Sequence, residues 1–299
     1  MLAFEGGAEA PVVSCSNRAG QGASPSSLSV PMQRWQQGNV AQSSDEVAEE
    51  IAVALSYNGI SHAVMMASPS DLEDFALGFS LSEGLIESRD ELYDIDCRPH
   101  PDGVEIALTI SSQRHMQLKQ QRRNLVGRTG CGLCGAETLQ QAIRPAKPVQ
   151  PIGRINHLAV QKAAAQIADR QQLRKLTGAA HGAAWCDASG EIVLLREDVG
   201  RHNALDKLIG ALQRSDIDTR QGFVLVTSRA SYEMVQKTCA AGISLLVAVS
   251  APTALAIRLA ESAGLSLVGF TRHQRHVVYN DANSQKASST IRSNTFYES

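Results

Sequence analysis

Phe223-Val224-Leu225-Val226, Leu245-Leu246-Val247-Ala248 and Leu267-Val268-Gly269-Phe270 recur at intervals of 22 residues. Short apolar runs bounded by polar turns suit strands buried on both faces of a sheet. Between them lie two helix-patterned segments, 232–241 and 253–263, each followed by a glycine, Gly242 or Gly264, in the position of a C-cap. Strand, helix, strand, helix, strand with short connections is a parallel β-α-β-α-β unit with right-handed crossovers. Ligands of such sheets bind beyond the carboxyl ends of the strands, at the helix N-termini. Those ends read Thr227-Ser228-Arg229-Ala230-Ser231, Ser250-Ala251-Pro252-Thr253 and Thr271-Arg272-His273-Gln274-Arg275. Small hydroxyls beside Arg229, Arg272 and Arg275 suit an anionic ligand, most simply the phosphates of a nucleotide. The chain has neither a Walker phosphate loop nor a Gly-x-Gly-x-x-Gly fingerprint, which argues against an ordinary ATPase or an NAD-dependent dehydrogenase.

Upstream of this unit, the pattern predicts an alanine-rich helix over 157–176. The tight stretch Gly178-Ala179-Ala180-His181-Gly182 leads into a strand over 183–187, which turns at Ser189-Gly190 into another over 192–195. His181 sits where a strand begins, a place where a lone histidine is more often a hydrogen-bonded structural residue than a catalyst. Glu197-Asp198-Val199-Gly200-Arg201-His202-Asn203 is too ion-dense for a simple connector and runs into a helix with Leu205, Leu208, Ile209 and Leu212 on one face. Its acids would complement a helix dipole, whereas Arg201 and His202 at the same terminus oppose it. Both a structural and a site role therefore stay open.

The N-terminal half has different rhythms. Ile51, Val53, Leu55 and Tyr57 alternate up to Asn58-Gly59, a favoured two-residue turn, and a second strand over 60–66 completes a hairpin. Ser68 is expected to cap a helix with Pro69 at its first position; Leu72, Phe75, Ala76, Phe79 and Ile86 form the buried stripe and Glu73, Asp74 and Glu83 the solvated face. Asp102-Gly103 introduces a strand carrying Val104, Ile106, Leu108 and Ile110. No acidic residue then occurs between Glu105 and Glu137, whereas Arg114, Lys119, Arg122, Arg123 and Arg128 do.

That basic segment delivers the chain to Gly130-Cys131-Gly132-Leu133-Cys134-Gly135. Glycines around two thiols argue for an exposed loop, and neighbouring cations favour the thiolate, the form that attacks, ligates metal or carries a persulfide. The pair alone is also consistent with half a zinc site, a structural disulfide or incidental thiols. A helical stretch over 137–143 follows, and Pro145, Pro148 and Pro151 then break the chain.

The expected organisation is an arm over 1–30, a smaller α+β domain over 31–143 ending in the cysteine loop, a hinge over 144–152, an α/β domain over 153–280 and a tail over 281–299. With 299 residues, 43% of them hydrophobic, the chain can build a sizeable core. A net charge of -2 and an aromatic content of 4% argue against a nucleic-acid partner. No apolar run of membrane length and no signal sequence is legible, so a cytoplasmic protein is expected, and Cys15, Cys97, Cys131, Cys134, Cys186 and Cys239 are expected to remain thiols.

Several motifs together resemble one family. Arg128-Thr129-Gly130-Cys131-Gly132-Leu133-Cys134-Gly135, Glu197-Asp198-Val199-Gly200-Arg201-His202-Asn203-Ala204-Leu205-Asp206-Lys207, Ser228-Arg229-Ala230-Ser231 and Glu233-Met234-Val235-Gln236-Lys237 are similar to segments of the formate dehydrogenase accessory sulfurtransferase (FdhD) family. Leu72-Glu73-Asp74-Phe75-Ala76-Leu77-Gly78-Phe79 with Ser82-Glu83-Gly84 resembles its N-terminal signature, and the likeness runs from about 45 to 280. The resemblance implies a sulfur carrier that takes persulfide sulfur from a cysteine desulfurase and passes it to the molybdenum bis(molybdopterin guanine dinucleotide) cofactor, destined for a formate dehydrogenase. It implies a cytidine-deaminase-like fold for the C-terminal domain, without deaminase chemistry, and a homodimer. Cys131 matches the persulfide-bearing cysteine and Cys134 its partner. Phe270, Thr271, Arg272, His273, Gln274 and Arg275 match the cofactor-binding segment, with Ser228, Arg229 and His202 expected beside it and Asp198 as a further candidate for the guanine or pterin edge. No structural metal is expected. Two rival readings remain at this stage: a zinc-stabilised module in which Cys131 and Cys134 join Cys186 or a histidine, and a chaperone that binds cofactor and enzyme without moving sulfur.

Overall fold

The computed structural model describes residues 25–126, 145–151, 153–215, 217–272 and 274–283. The core repeat forms as the spacing predicts. β9 (Gly222–Val226), β10 (Leu245–Ala248) and β11 (Ser266–Arg272) are parallel neighbours, Val224 opposite Leu246 and Leu246 opposite Leu267. Their crossovers are α6 (Tyr232–Ala240) and α7 (Ala254–Ala263). β7 (His181–Asp187), β8 (Ile192–Asp198) and β12 (Arg275–Asn280) extend them to a six-stranded sheet of order β12-β11-β10-β9-β7-β8. Because β7 runs antiparallel to both β8 and β9, β8 points the same way as the three parallel strands. Its carboxyl end therefore lies on the same edge as theirs.

A second, four-stranded sheet of order β4-β3-β6-β5 is built from β3 (Ile51–Tyr57), β4 (Ile60–Ala67), β5 (Leu92–His100) and β6 (Gly103–Ile110). The expected Asn58-Gly59 hairpin is present, both residues at positive φ. α1 (Leu72–Ser82) carries this sheet against α5 (Arg201–Gln213), which follows β8. The two helices approach until backbone meets backbone: a Cβ on Gly78 would fall 1.7 Å from the Asp206 carbonyl oxygen, and one on Gly210 1.9 Å from that of Asp74. The apolar faces merge accordingly, and one core runs from Val53, Leu55 and Phe75 through Leu205 and Leu208 to Val224 and Leu246. Residues on both sides of the 144–152 segment belong to it, and Val149 within that segment is buried, its N–H donating to the Ala263 carbonyl.

Several local expectations are corrected. α1 starts at Leu72 rather than at Pro69, with Asp71 at the N-cap, at φ 54°. Ser68 is drawn instead into a tertiary network, its hydroxyl accepting the Val199 N–H. Asp74 is not solvated: it is buried and meets Arg196 at 2.7 Å and Arg214 at 3.2 Å, because α5 and β8 close over the face that helical periodicity assigned to water. Glu83 likewise pairs with Lys237 at 2.8 Å. The single helix expected over 157–176 is two, α3 (His157–Arg170) and α4 (Gln172–Thr177), broken at Gln171, where ψ is 93°. The Glu197 carboxylate accepts the N–H groups of Leu173 and Arg174 and so restarts the chain as a new helix.

β5 and β12 were not anticipated, nor was a third sheet, the hairpin of β1 (Ser27–Gln36) and β2 (Asn39–Ala48), which begins inside the expected arm. Their mixed polar sequences lack a clean alternation, and Pro31 argues against a central strand. Beyond β12, Ala282 is buried and donates to Ser266. α2 (Ser112–Val126) occupies the basic segment. Cys97 is disulfide-bonded, unlike the six thiols expected, whereas Cys186 and Cys239 are free and buried.

Candidate functional site

The carboxyl ends of β8, β9, β10 and β11 form one rim, and backbone hydrogen bonds stitch its loops together. Ala230 donates to the Ala251 carbonyl at 3.2 Å, Thr253 to Ala230 at 3.0 Å and Phe270 to Ser250 at 3.1 Å. Gly182, at the amino end of antiparallel β7, receives the Thr227 N–H at 3.0 Å and donates its own to the Thr227 hydroxyl at 2.9 Å. His181 therefore stands on the same rim. Three helices, α5, α6 and α7, begin there, so their N-terminal dipoles point at a common edge.

The ion-dense segment 197–203 separates into buried and available residues. Glu197 caps α4. Asp198 is fully buried against Lys207, 2.7 Å away, and its oxygens also accept the N–H groups of Ser68 and Gly200 and the Asn203 amide. Lys207 donates to the Ser68 carbonyl, and Asn203 to that of Met66. Asp198 is therefore withdrawn from the ligand-contacting role considered for it. It fixes the turn that presents Arg201 and His202, both half-buried at the start of α5.

Beneath His202 lies a second buried pair. Lys237 meets Asp206 at 3.0 Å and Glu83 at 2.8 Å and donates to Ser82 at 2.9 Å. Burial alone would depress the Lys237 pKa, but Asp206 and Glu83 outweigh it and hold the amine above its ordinary value, hence charged. Nε2 of His202 is 2.8 Å from a Glu233 oxygen but off the direction a hydrogen bond requires. Burial lowers the His202 pKa below its usual value, Glu233 only partly opposing this. The His181 pKa is also lowered, by burial first and then by the charges of Arg201 and Arg174. Both imidazoles are thus biased towards neutrality beside guanidinium groups.

The rim gathers orphaned polar atoms. Six buried side-chain nitrogen or oxygen atoms among the described residues have no hydrogen-bond partner, and four of them, Arg201 Nε, His202 Nε2, Ser231 Oγ and Thr271 Oγ1, lie here. Such groups cost about 1–3 kcal/mol each when left unsatisfied, so clustering at one edge marks a surface prepared for a polar ligand. Backbone strain coincides with it. Phe270, 42% exposed, is held at φ 52° inside the β11–β12 register irregularity between Gly269 and Arg272, and Gln274 at φ 62° in the turn just beyond the Arg272–Arg275 pair.

Of the residues singled out in the sequence, Phe270, Thr271, Arg272, Gln274, Arg275, Ser228, Arg229 and His202 all reach this rim. Arg229, Arg272 and Arg275 are exposed, and Arg272 Nε donates to the Val249 carbonyl at 3.3 Å. Ser228 is buried, its hydroxyl turned to the Arg229 carbonyl. Cys131, Cys134 and His273 lie outside the described residues. Cys186, offered as a metal ligand in the zinc reading, sits at 0% exposure in the core under α3, where burial pushes its thiol pKa up. Arg201 and His181 were not placed in the site by sequence reasoning. For Arg201 the signal, a cation where the helix dipole disfavours one, had kept a site role open without deciding it.

Fold and rim together define a mixed α/β protein with a polar, cation-lined ligand edge at the carboxyl ends of parallel strands. The sequence profile of the FdhD/NarQ family matches residues 48–285. The sulfur carrier protein FdhD of Cupriavidus necator is 55% identical over 261 residues, covering 87% of this chain and 91% of the relative. That of Variovorax paradoxus is 53% identical over 235 residues, covering 79% and 84%. A solved structure described as a formate dehydrogenase accessory protein from Desulfotalea psychrophila superposes with a TM-score of 0.69 at 23% identity, over 86% of this chain and 98% of the other. This chain belongs to the FdhD/NarQ family.

Proposed function

We propose that this chain is a sulfur carrier that serves formate dehydrogenase maturation, accepting persulfide sulfur on Cys131 and delivering it to a molybdenum bis(molybdopterin guanine dinucleotide) cofactor seated on the rim. The observation that carries the ligand half is the clustering of Arg201 Nε, Ser231 Oγ and Thr271 Oγ1 without hydrogen-bond partners, beside His202, whose Nε2 meets Glu233 only as a poorly directed ion-pair contact. The names of the relatives, sulfur carrier protein, support the sulfur half. In this reading the thiolate of Cys131 attacks the terminal sulfur of a cysteine desulfurase persulfide, and the donor cysteine leaves as thiolate. Arg114 is buried and taken up by Glu87 at 2.6 Å and Glu91 at 2.8 Å, so in this reading the cations that favour the attacking form are those nearer the pair in sequence, such as Arg128. Cys134 is a second thiol that can take the terminal sulfur and free Cys131 to reload. Arg229, Arg272 and Arg275 engage the cofactor's pyrophosphates, the hydroxyl of Thr271 and the guanidinium of Arg201 gain acceptors, and Phe270 presents its ring to a base. The same reading takes the six-stranded sheet with its helices as a cytidine-deaminase-like body, the protein as cytoplasmic and the working form as a homodimer.

Peptide mass spectrometry after incubation with a cysteine desulfurase and cysteine is the test. One added sulfur on the 131–134 peptide, lost in Cys131→Ala, is expected. An unmodified peptide in the wild-type protein, with the desulfurase shown to be turning over, contradicts the carrier reading and favours a chaperone that moves no sulfur.

A further inference from the structure

His157, the first residue of α3, and His276, the second of β12, meet at the surface. Nδ1 of His157 is 2.7 Å from Nε2 of His276, the ring centres are 5.0 Å apart and the planes differ by 13°. That separation is as wide as two imidazole centres can reach with nitrogens so close, so the rings lie edge to edge in nearly one plane. Each nitrogen therefore aims its in-plane bonding direction at the other. Two bare lone pairs repel at this distance, and a proton or a cation must lie between them. Packing fixes the direction of His276: Val278 lies opposite Val268, which faces α3, and His276, two residues earlier on the strand, faces the same way. Gln161, one turn along α3 from His157, brings its amide to 2.6 Å from Nδ1 of His276. With its oxygen on that side, the amide holds the proton on Nδ1 and leaves Nε2 free, the way an outer partner orients a metal-binding histidine.

We infer that this pair is a binding site for zinc(II), with Nδ1 of His157 and Nε2 of His276 as its protein ligands. Zinc bonds imidazole nitrogen at about 2.0–2.1 Å, and tetrahedral geometry then sets two such nitrogens roughly 3.3 Å apart. The pair need open by only roughly 0.6 Å, and the shared proton leaves to water as the ion enters. His157 is exposed and His276 half-buried, so this movement disturbs no core packing. Among the described residues no group of three His, Cys, Asp or Glu side chains is placed to hold a metal, so water fills the other positions. The site is accordingly open and exchangeable, unlike a closed structural zinc. The α3 dipole opposes a cation at its first residue, by roughly two- to fivefold in affinity, which two imidazole bonds outweigh. Because the ligands come from α3 and from the edge strand β12, the ion ties that strand to the helix beneath it, one residue from Arg275 on the rim.

This inference is independent of sulfur transfer. Zinc competition against a chromogenic chelator tests it, on the full chain carrying Cys131→Ala and Cys134→Ala so that those thiols do not compete for the ion. One saturable equivalent is expected, weakened about tenfold by Gln161→Leu and at least as much by His157→Asn and by His276→Asn. Zinc should also raise the melting temperature of the parent protein and leave that of the two histidine variants unchanged. Neither histidine is part of the core, and unchanged circular dichroism confirms that the variants fold. Absence of a saturable equivalent overturns the site and leaves the two imidazoles as a hydrogen-bonded pair. Affinity that is equal in all the proteins, or that depends on one histidine and not on the other, places the ion elsewhere and overturns it as well.

Discussion

Lys207 shows how far a polar motif can be structural. Its amine and the Asp198 carboxylate are both at 0% exposure, 2.7 Å apart, and between them they hold Ser68, Gly200 and Asn203 in place. Lys207→Met leaves a buried carboxylate uncompensated and is expected to lower the unfolding free energy by about 3–5 kcal/mol, read by urea denaturation. Glu197→Gln weakens only the charge on the α4 cap and should cost about 1 kcal/mol. The histidines predict a pH dependence. His181, His202 and His276 all have pKa values lowered from 6.5, so the native state resists their protonation more than the unfolded chain does. The unfolded state then binds more protons in this range, and stability is present above that value and lost as pH falls through it. The melting temperature should drop between about pH 7.5 and 5.5, and His202→Gln should make the slope shallower. At this scale the sequence was half legible: residue types announced an ionic cluster, but which member is buried depends on β4 and α5 meeting, a contact between positions more than a hundred residues apart.

Elements were read best where periodicity and punctuation agreed. The three strands at 22-residue spacing, the glycine caps and the Asn58-Gly59 hairpin carry their structure locally. The break between α3 and α4 does not, because the group that ends one helix and starts the next is Glu197, on a different strand. The arm formed by β1 and β2 was illegible for a similar reason: no buried face imposes alternation on it. Glycines inside α1 and α5 look like helix weaknesses until the pairing is seen. Gly78→Ala and Gly210→Ala each place a methyl group within 2 Å of backbone on the other helix, which cannot move without separating the sheets. Each is expected to destabilise by about 3 kcal/mol or more in chemical denaturation, against a gain of about 0.5–1 kcal/mol from helix propensity alone in an uncrowded helix.

In the molecule as a whole, the two sheets share one core, and the helix pair α1 and α5 that joins them also sets the rim, since α5 begins there. Strand-end reasoning located that rim from three loops. That β8, and with it Arg201, His202 and His181, belongs to the same edge follows only from β7 being inserted antiparallel between β8 and β9. The account's central claim is that this edge binds the guanine nucleotide end of an anionic cofactor. Calorimetric titration of the full chain with guanosine diphosphate tests it most directly. Saturable binding is predicted, weakened at least about tenfold by Arg272→Ala and by Arg201→Gln, as loss of a charge-assisted hydrogen bond requires. Arg220→Ala, altering an arginine paired with Asp218 at the amino end of β9, should leave it unchanged. Absence of saturable binding, or equal affinity in all four proteins, would contradict the account.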